Sequence, residues 1–177
     1  MNLTTPRHSY KPFQYPWAFE LYKEQWSAHW TPEDIELAED INDWKNKLSP
    51  EYVTMMSRIL RFFTQADVDV ARGYYEQIIP SYPAPEMRMM FGLFAAFEGI
   101  HIDSYSMLND QLGLPEADYS AFMAIQAMAD KHQYMEELSV DMSCARSRAK
   151  TLAVRGAFGE GLHLFGTFAI LLNGQRC

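Results

Sequence analysis

From Pro50 to Leu172 the apolar residues recur at intervals of three and four rather than two, the period of helices that pack by one face. Proline, glycine and capping residues divide this pattern into elements. Thr31-Pro32-Glu33-Asp34 joins an N-capping residue, a proline at the first helical position and acids in the first turn, which predicts a short helix reaching about Leu48. Ser49-Pro50-Glu51 repeats the signal and opens a long helix over 50–79, stopped by Pro80 and Pro83. Pro85-Glu86 opens another over 86–111, ended near Gly113 and Pro115. A fourth is expected over 116–138. A fifth starts at Cys144 or Ala145 and reaches about Leu172, with Gly156, Gly159, Gly161 and Gly166 inside it. Upstream, Pro6, Pro12 and Pro16 stand among Tyr10, Phe13, Tyr15, Trp17 and Phe19. That proline density disfavours helix and predicts an extended arm over 1–30, lying on a helical domain of 31–177. The expected fold is all-α: long antiparallel helices joined by short loops, hence a bundle.

Composition narrows the function. The chain of 177 residues is 48% hydrophobic and 14% aromatic, enough for one domain with a sizeable core. A net charge of −8 argues against nucleic acid as a partner. No run approaches the roughly 20 apolar residues of a membrane span, so no membrane partner is expected. The opening MNLTTPRHSYKPF lacks the apolar stretch of a secretion signal. Cys144 and Cys177 make neither a disulfide framework nor a CxxC pair, and the expected location is the reducing cytoplasm.

Several polar residues break the apolar pattern where a bundle should not want them. The run FGLFAAFEGIHIDSYSML is apolar nearly all round and should be a central helix, yet it holds Glu98 and His101, three apart on one face. A buried carboxylate costs several kcal/mol, to order of magnitude, unless it is partnered. One Glu-x-x-His by itself is commonly an ordinary ion pair. The neighbouring helices change that reading. Asp67 follows Phe62 and Phe63 where an apolar residue is expected, and Glu160 sits in the apolar run AFGEGLHLFGTFAILL. Asp69, two positions from Asp67, falls on another face and reads as solvated. Three helices thus each offer one carboxylate, and one adds an imidazole, a donor set that suits iron or manganese better than thiolate-preferring metals. Carboxylate-bridged di-metal bundles use two single carboxylates and two Glu-x-x-His motifs. This chain supplies the two single carboxylates and one such motif. His8, His29 and His132 have no ligand-like neighbours and read as surface or arm residues.

Four blocks, HWTPEDIELAEDINDW (29–44), RFFTQADVDV (61–70), FEGIHIDSYSML (97–108) and GEGLHLFGTFAILLN (159–173), resemble the radical-generating small (β) subunit of class I ribonucleotide reductase. They come in that family's order and span most of the chain after the arm. The resemblance implies a ferritin-like bundle with Asp67, Glu98, His101 and Glu160 as metal ligands. It implies a di-iron or manganese–iron cofactor that uses O2 to oxidise Tyr105, seven residues after Glu98, to a stable radical. It implies Trp30 on the radical-transfer route, and Leu164 and Phe168 as the dry wall around Tyr105. The activity implied is ribonucleoside-diphosphate reduction for deoxyribonucleotide synthesis. Implied partners are the large (α, catalytic) subunit and a second small subunit in a homodimer. By residue type alone, Trp30 reads as a hydrophobic staple and Tyr105 as a core tyrosine. His163 spells a second Glu-x-x-His with Glu160, but in the family that position is not a ligand. The rival readings are a ferritin-like di-iron oxidase or iron-binding protein, disfavoured by Asp67, Trp30 and Tyr105 together, and a non-catalytic helical fragment.

The chain departs from the family after NGQRC. The expected second ligand-bearing Glu-x-x-His, the aspartate linking the metal histidine to Trp30, and the tail that grips the large subunit do not occur in it. The expectation is therefore the N-terminal half of a small subunit, an incomplete bundle that is a gene fragment, one piece of a split gene whose other half acts in trans, or the part before an intervening element, the last of which Cys177 would fit. Alone, such a chain is expected to be inactive and marginally folded.

Overall fold

The computed structural model describes residues 3–116, 119–137 and 142–173, and among them all regular structure is helical. The helices are α1 (Pro16–Ser27), α2 (Ala38–Asn46), α3 (Pro50–Gly73), α4 (Pro85–Gln111), α5 (Gln126–Glu137), α6 (Ala145–Leu152) and α7 (Phe165–Asn173). Ser49 starts α3 as its sequence predicts: its hydroxyl accepts from Tyr52 N at 3.3 Å, and Pro50 fills a first-turn position needing no N–H. The helix then winds wider over Tyr74–Ile78, a π-helical stretch, and ends in a last turn at Ile79–Ser81. A second π-helical stretch, Ala153–Leu164, joins α6 to α7, so the expected fifth helix is continuous but loosened in the middle. Gly156, Gly159 and Gly161 lie inside that stretch, where the missing side chains ease the wider coil.

Helices α3 and α4 form the central pair, and α1 lies along α4. One apolar cluster, with Ala18, Ile78, Tyr82, Met87 and Met90 among its members, fastens α1 and the end of α3 to the first half of α4. Further along, Ile59, Leu60, Phe62, Phe63, Leu93 and Phe97 continue the core toward the middle of the pair. The carboxylates and imidazole singled out above sit on this same stretch of α3 and α4.

Three sequence expectations are corrected. The arm is non-helical from Leu3 to Tyr15 only, because Pro16 occupies a first-turn position and Pro16–Ser27 is helical. Of the aromatic residues assigned to the arm, Trp17 and Phe19 belong to α1, where Phe19 stacks on Tyr22 one turn on with ring centres 6.0 Å apart. The start signal at Thr31 opens a single 3-10 turn, Pro32–Asp34, with Thr31 N donating to Asp34 Oδ2 at 2.8 Å. The chain turns extended at Ile35 before α2 begins. Finally, α5 begins at Gln126 rather than Glu116. Tight closures, Tyr119 N to Glu116 O at 3.1 Å and Met123 N to Ser120 O at 3.0 Å, hold the preceding segment out of α-helical register. The side chain of His163, and Cys177, lie outside the described residues.

Candidate metal centre

Asp67 in α3 and Glu98 in α4 are each only 7% exposed, and His101 is half-buried one turn beyond Glu98. One donor atom from each of the three lies within 4.8 Å of the others. His101 Nδ1 stands 3.2 Å from Glu98 Oε2, the i,i+3 geometry expected from the sequence. Glu160 approaches from the second π-helical stretch and lines the same cavity, of about 470 Å³. Its Oε1 accepts from Tyr74 Oη at 3.3 Å. Both partners of that bond sit in π-helical backbone, a geometry found disproportionately at functional sites.

The electrostatics describe carboxylates short of positive charge. Burial pushes Asp67 up to about 7, helped by the charges of Glu98 and Glu160 and opposed by His101. Burial likewise pushes Glu160 up to about 7, helped by Glu98 and opposed by the Tyr74 hydroxyl and His101. The hydrogen bond to Glu98 raises His101 against the effect of its own burial, with the charges of Glu98, Asp67 and Glu160 adding to it. Among the described residues no lysine or arginine is ion-paired with Asp67, Glu98 or Glu160. Three hard oxygen donors and one imidazole around a cavity, with no guanidinium or ammonium paired with the carboxylates among the described residues, fit a divalent first-row metal.

The other expected residues gather around this cluster. Tyr105 lines the cavity and its ring stacks nearly parallel on Phe63, 5.2 Å between centres and 6° between planes. Burial raises the Tyr105 hydroxyl above its ordinary value, and the charges of Asp67 and Glu98 add to the effect. Phe168 packs 5.5 Å from Phe63, and Leu164 lines the cavity beside it. The indole of Trp30 stacks on the imidazole of His101, 6.0 Å apart at 25°.

Sequence reasoning missed two features. Tyr74 is seven residues after Asp67, as Tyr105 is seven after Glu98, so two turns of the same spacing were available to find it. Burial raises its hydroxyl too, with Glu160 and Glu98 contributing. The second feature corrects the solvated reading of Asp69 and the surface reading of His132. Asp69 is 12% exposed in its side chain; its Oδ2 lies 2.7 Å from His132 Nδ1, and its Oδ1 lies 3.2 Å from Arg72. Arg72 also pairs with Glu136, so this second group of acids already holds a cation. His29, too, is engaged: its ring stacks on Trp26 at 5.8 Å and meets Phe97 edge-on at 5.9 Å.

Residues 7–176 match the family model described as "Ribonucleotide reductase, small chain". The chain is 40% identical over 184 residues to a probable ribonucleoside-diphosphate reductase small subunit of Invertebrate iridescent virus 6, covering 97% of this chain and 51% of the relative. It is 36% identical over 191 residues to the corresponding probable small subunit of Invertebrate iridescent virus 3, covering 99% of this chain and 50% of the relative. The chain thus spans about half the length of these curated relatives. In fold it is similar to the ribonucleotide reductase R2 subunit from Clostridium botulinum, with a TM-score of 0.83 at 18% identity over 98% of this chain and 56% of that one. The sequence match runs through nearly the whole chain and the fold agrees with it, so the chain belongs to the ribonucleotide reductase small chain family.

Proposed function

We propose that this chain is the part of a ribonucleoside-diphosphate reductase small subunit that carries one side of a di-iron or manganese–iron centre, with Tyr105 as the residue oxidised to a radical and Trp30 as the first step of radical transfer toward a large catalytic subunit. The observation that carries the reading is the convergence of Asp67, Glu98 and His101 within 4.8 Å, in a cavity also lined by Glu160, Tyr105 and Trp30. Asp67, Glu98, His101 and Glu160 would hold the metal. When bound, it would supply O2 activation and an oxidant strong enough for a tyrosine.

The protein side of the chemistry follows from the residues. The carboxylates would lose their protons on binding a cation, whose charge offsets the burial, and after it the mutual repulsion, that keep Asp67 and Glu160 raised. Tyr74 donates to Glu160 Oε1 and fixes which way that carboxylate faces. Tyr105 stays a neutral phenol, so losing an electron requires losing the Oη proton as well. Phe63, Leu164 and Phe168 present apolar surface around Tyr105 and exclude water that would quench it. Trp30, stacked on His101 and only half-buried, offers a π contact leading from the cluster toward the surface.

The test is electron paramagnetic resonance on a version extended to the full length of its relatives and loaded with iron and O2. A tyrosyl signal is expected, and it is expected to vanish in Tyr105→Phe. A signal that persists in the variant contradicts the role of Tyr105.

A further inference from the structure

At the N-terminal end of α4, away from the acidic cluster at its middle, the arm, the turn before α4 and the start of α6 border a second cavity of about 520 Å³. Its walls carry Arg7, His8, Arg88 and Arg148, and among the described residues no acid lines it. The chain as a whole has 23 acids against 15 bases, so a wall of this sign runs against the composition. Grouping guanidiniums that are not all paired with acids costs electrostatic energy, which an anion in the cavity would return.

The guanidiniums are not equivalent. Arg7 is neutralised: it pairs with the fully buried Glu86 and donates to the carbonyl of Pro12. Its Nε is buried and has no hydrogen-bond partner. Arg148 is held in place but keeps its charge, because its partners are the carbonyls of Met142 at 2.7 Å and Ser143 at 3.1 Å, both on Nη1. Its Nη2 and Nε have no partner among the described residues. Arg88, in the first turns of α4, is exposed, and its side chain has no ion-pair or hydrogen-bond partner among the described residues. The positive end of the α4 macrodipole adds to the same side. Two full positive charges therefore remain uncompensated, from groups whose planar forks suit phosphate oxygens in pairs.

We propose that this cavity binds a small phosphorylated molecule, its phosphate group held between Arg88 and Arg148. Two cations match a phosphoryl group of about two negative charges better than a single carboxylate. The volume falls in the range of sites for whole small molecules, leaving room beyond the phosphate. Because Arg7 and His8 come from the arm, a ligand here would also bridge the arm to α4 and α6.

Isothermal titration calorimetry of the metal-free 177-residue chain with pyrophosphate, and separately with ADP, at constant ionic strength tests this. Saturable binding of one ligand per chain is expected. Arg88→Gln should weaken it by about tenfold or more while leaving the unliganded melting temperature unchanged. Arg58→Gln, an exposed position on α3 outside the cavity, should bind as the parent does. ADP binding more tightly than pyrophosphate would show that the remaining volume takes a nucleoside. Equal binding would show that the phosphates alone are the ligand, and either result supports the site. Absence of saturable binding, or equal loss in Arg88→Gln and Arg58→Gln, overturns it.

Discussion

Glu86→Gln isolates what holds the N-terminal segment on the bundle. Glu86 is 0% exposed; its Oε1 accepts from Gln14 N at 2.7 Å and Tyr15 N at 3.0 Å, while Oε2 pairs with Arg7, whose side chain is 13% exposed. Glutamine keeps the shape and one carbonyl acceptor for the two backbone donors. It turns an NH2 donor toward Arg7, which is then left nearly buried without its counter-charge. Hydrogen bonds to charged groups contribute about 1.5–3 kcal/mol each, and breaking a buried pair costs about 3–5 kcal/mol. Because glutamine retains part of the network, the expected loss is roughly 3 kcal/mol in urea unfolding. The same loss should appear locally as roughly a hundredfold lower hydrogen-exchange protection at the amides of Gln14 and Tyr15. The pH dependence follows from the same contacts. Burial pushes Glu86 up, but its own N–H, those of Tyr15 and Gln14, and the Arg7 charge outweigh it and hold the carboxyl below its ordinary value. This stabilisation is complete above the unfolded value of 4.5 and is lost as pH falls through the lower folded value. Parent protein should therefore lose more stability through that acid window than Glu86→Gln does. A stability change under about 1 kcal/mol, with unaltered protection at Gln14 and Tyr15, would refute the clamp.

Two further substitutions test the packing around the site. Phe63 is 1% exposed between Tyr105 and Phe168, so Phe63→Ala should cost about 3–5 kcal/mol and Phe63→Leu less than about 2 kcal/mol, both by urea denaturation. Gly73→Ala gains about 1 kcal/mol of helix propensity, yet its Cβ would clash with Nη1 of Arg155, itself held by the carbonyls of Asp69 and Met135. Overpacking at about 1–3 kcal/mol should win, and the melting temperature should fall rather than rise.

Much of the fold was legible because its signals are local. The proline and serine that start α3 and the proline that starts α4 act within one turn, and both helices begin where the sequence places them. The misreadings arose where one signal has two meanings. Pro16 breaks a helix if it falls inside one and starts a helix if it falls at the first turn, and only packing on α4 decides which. Glu86 reads only as part of a helix start, whereas its partners lie 71 to 79 residues away in the arm, beyond any spacing rule. At the site, Asp67, Glu98 and Glu160 were found because each contradicts its apolar surroundings. Tyr74 did not stand out, since a tyrosine among aromatics contradicts nothing, and only its 3.3 Å contact to Glu160 shows its place. Asp69 and His132 were misread because they meet across helices that no periodicity relates.

The central claim, that Asp67, Glu98, His101 and Glu160 form one metal site, is tested most directly by anomalous diffraction from crystals of this chain soaked in manganese(II). The expected result is an anomalous peak within coordination distance of Asp67, Glu98 and His101, absent in Glu98→Ala. A map with no peak there, or with manganese only at Asp69, His132 and Glu136, would contradict the account.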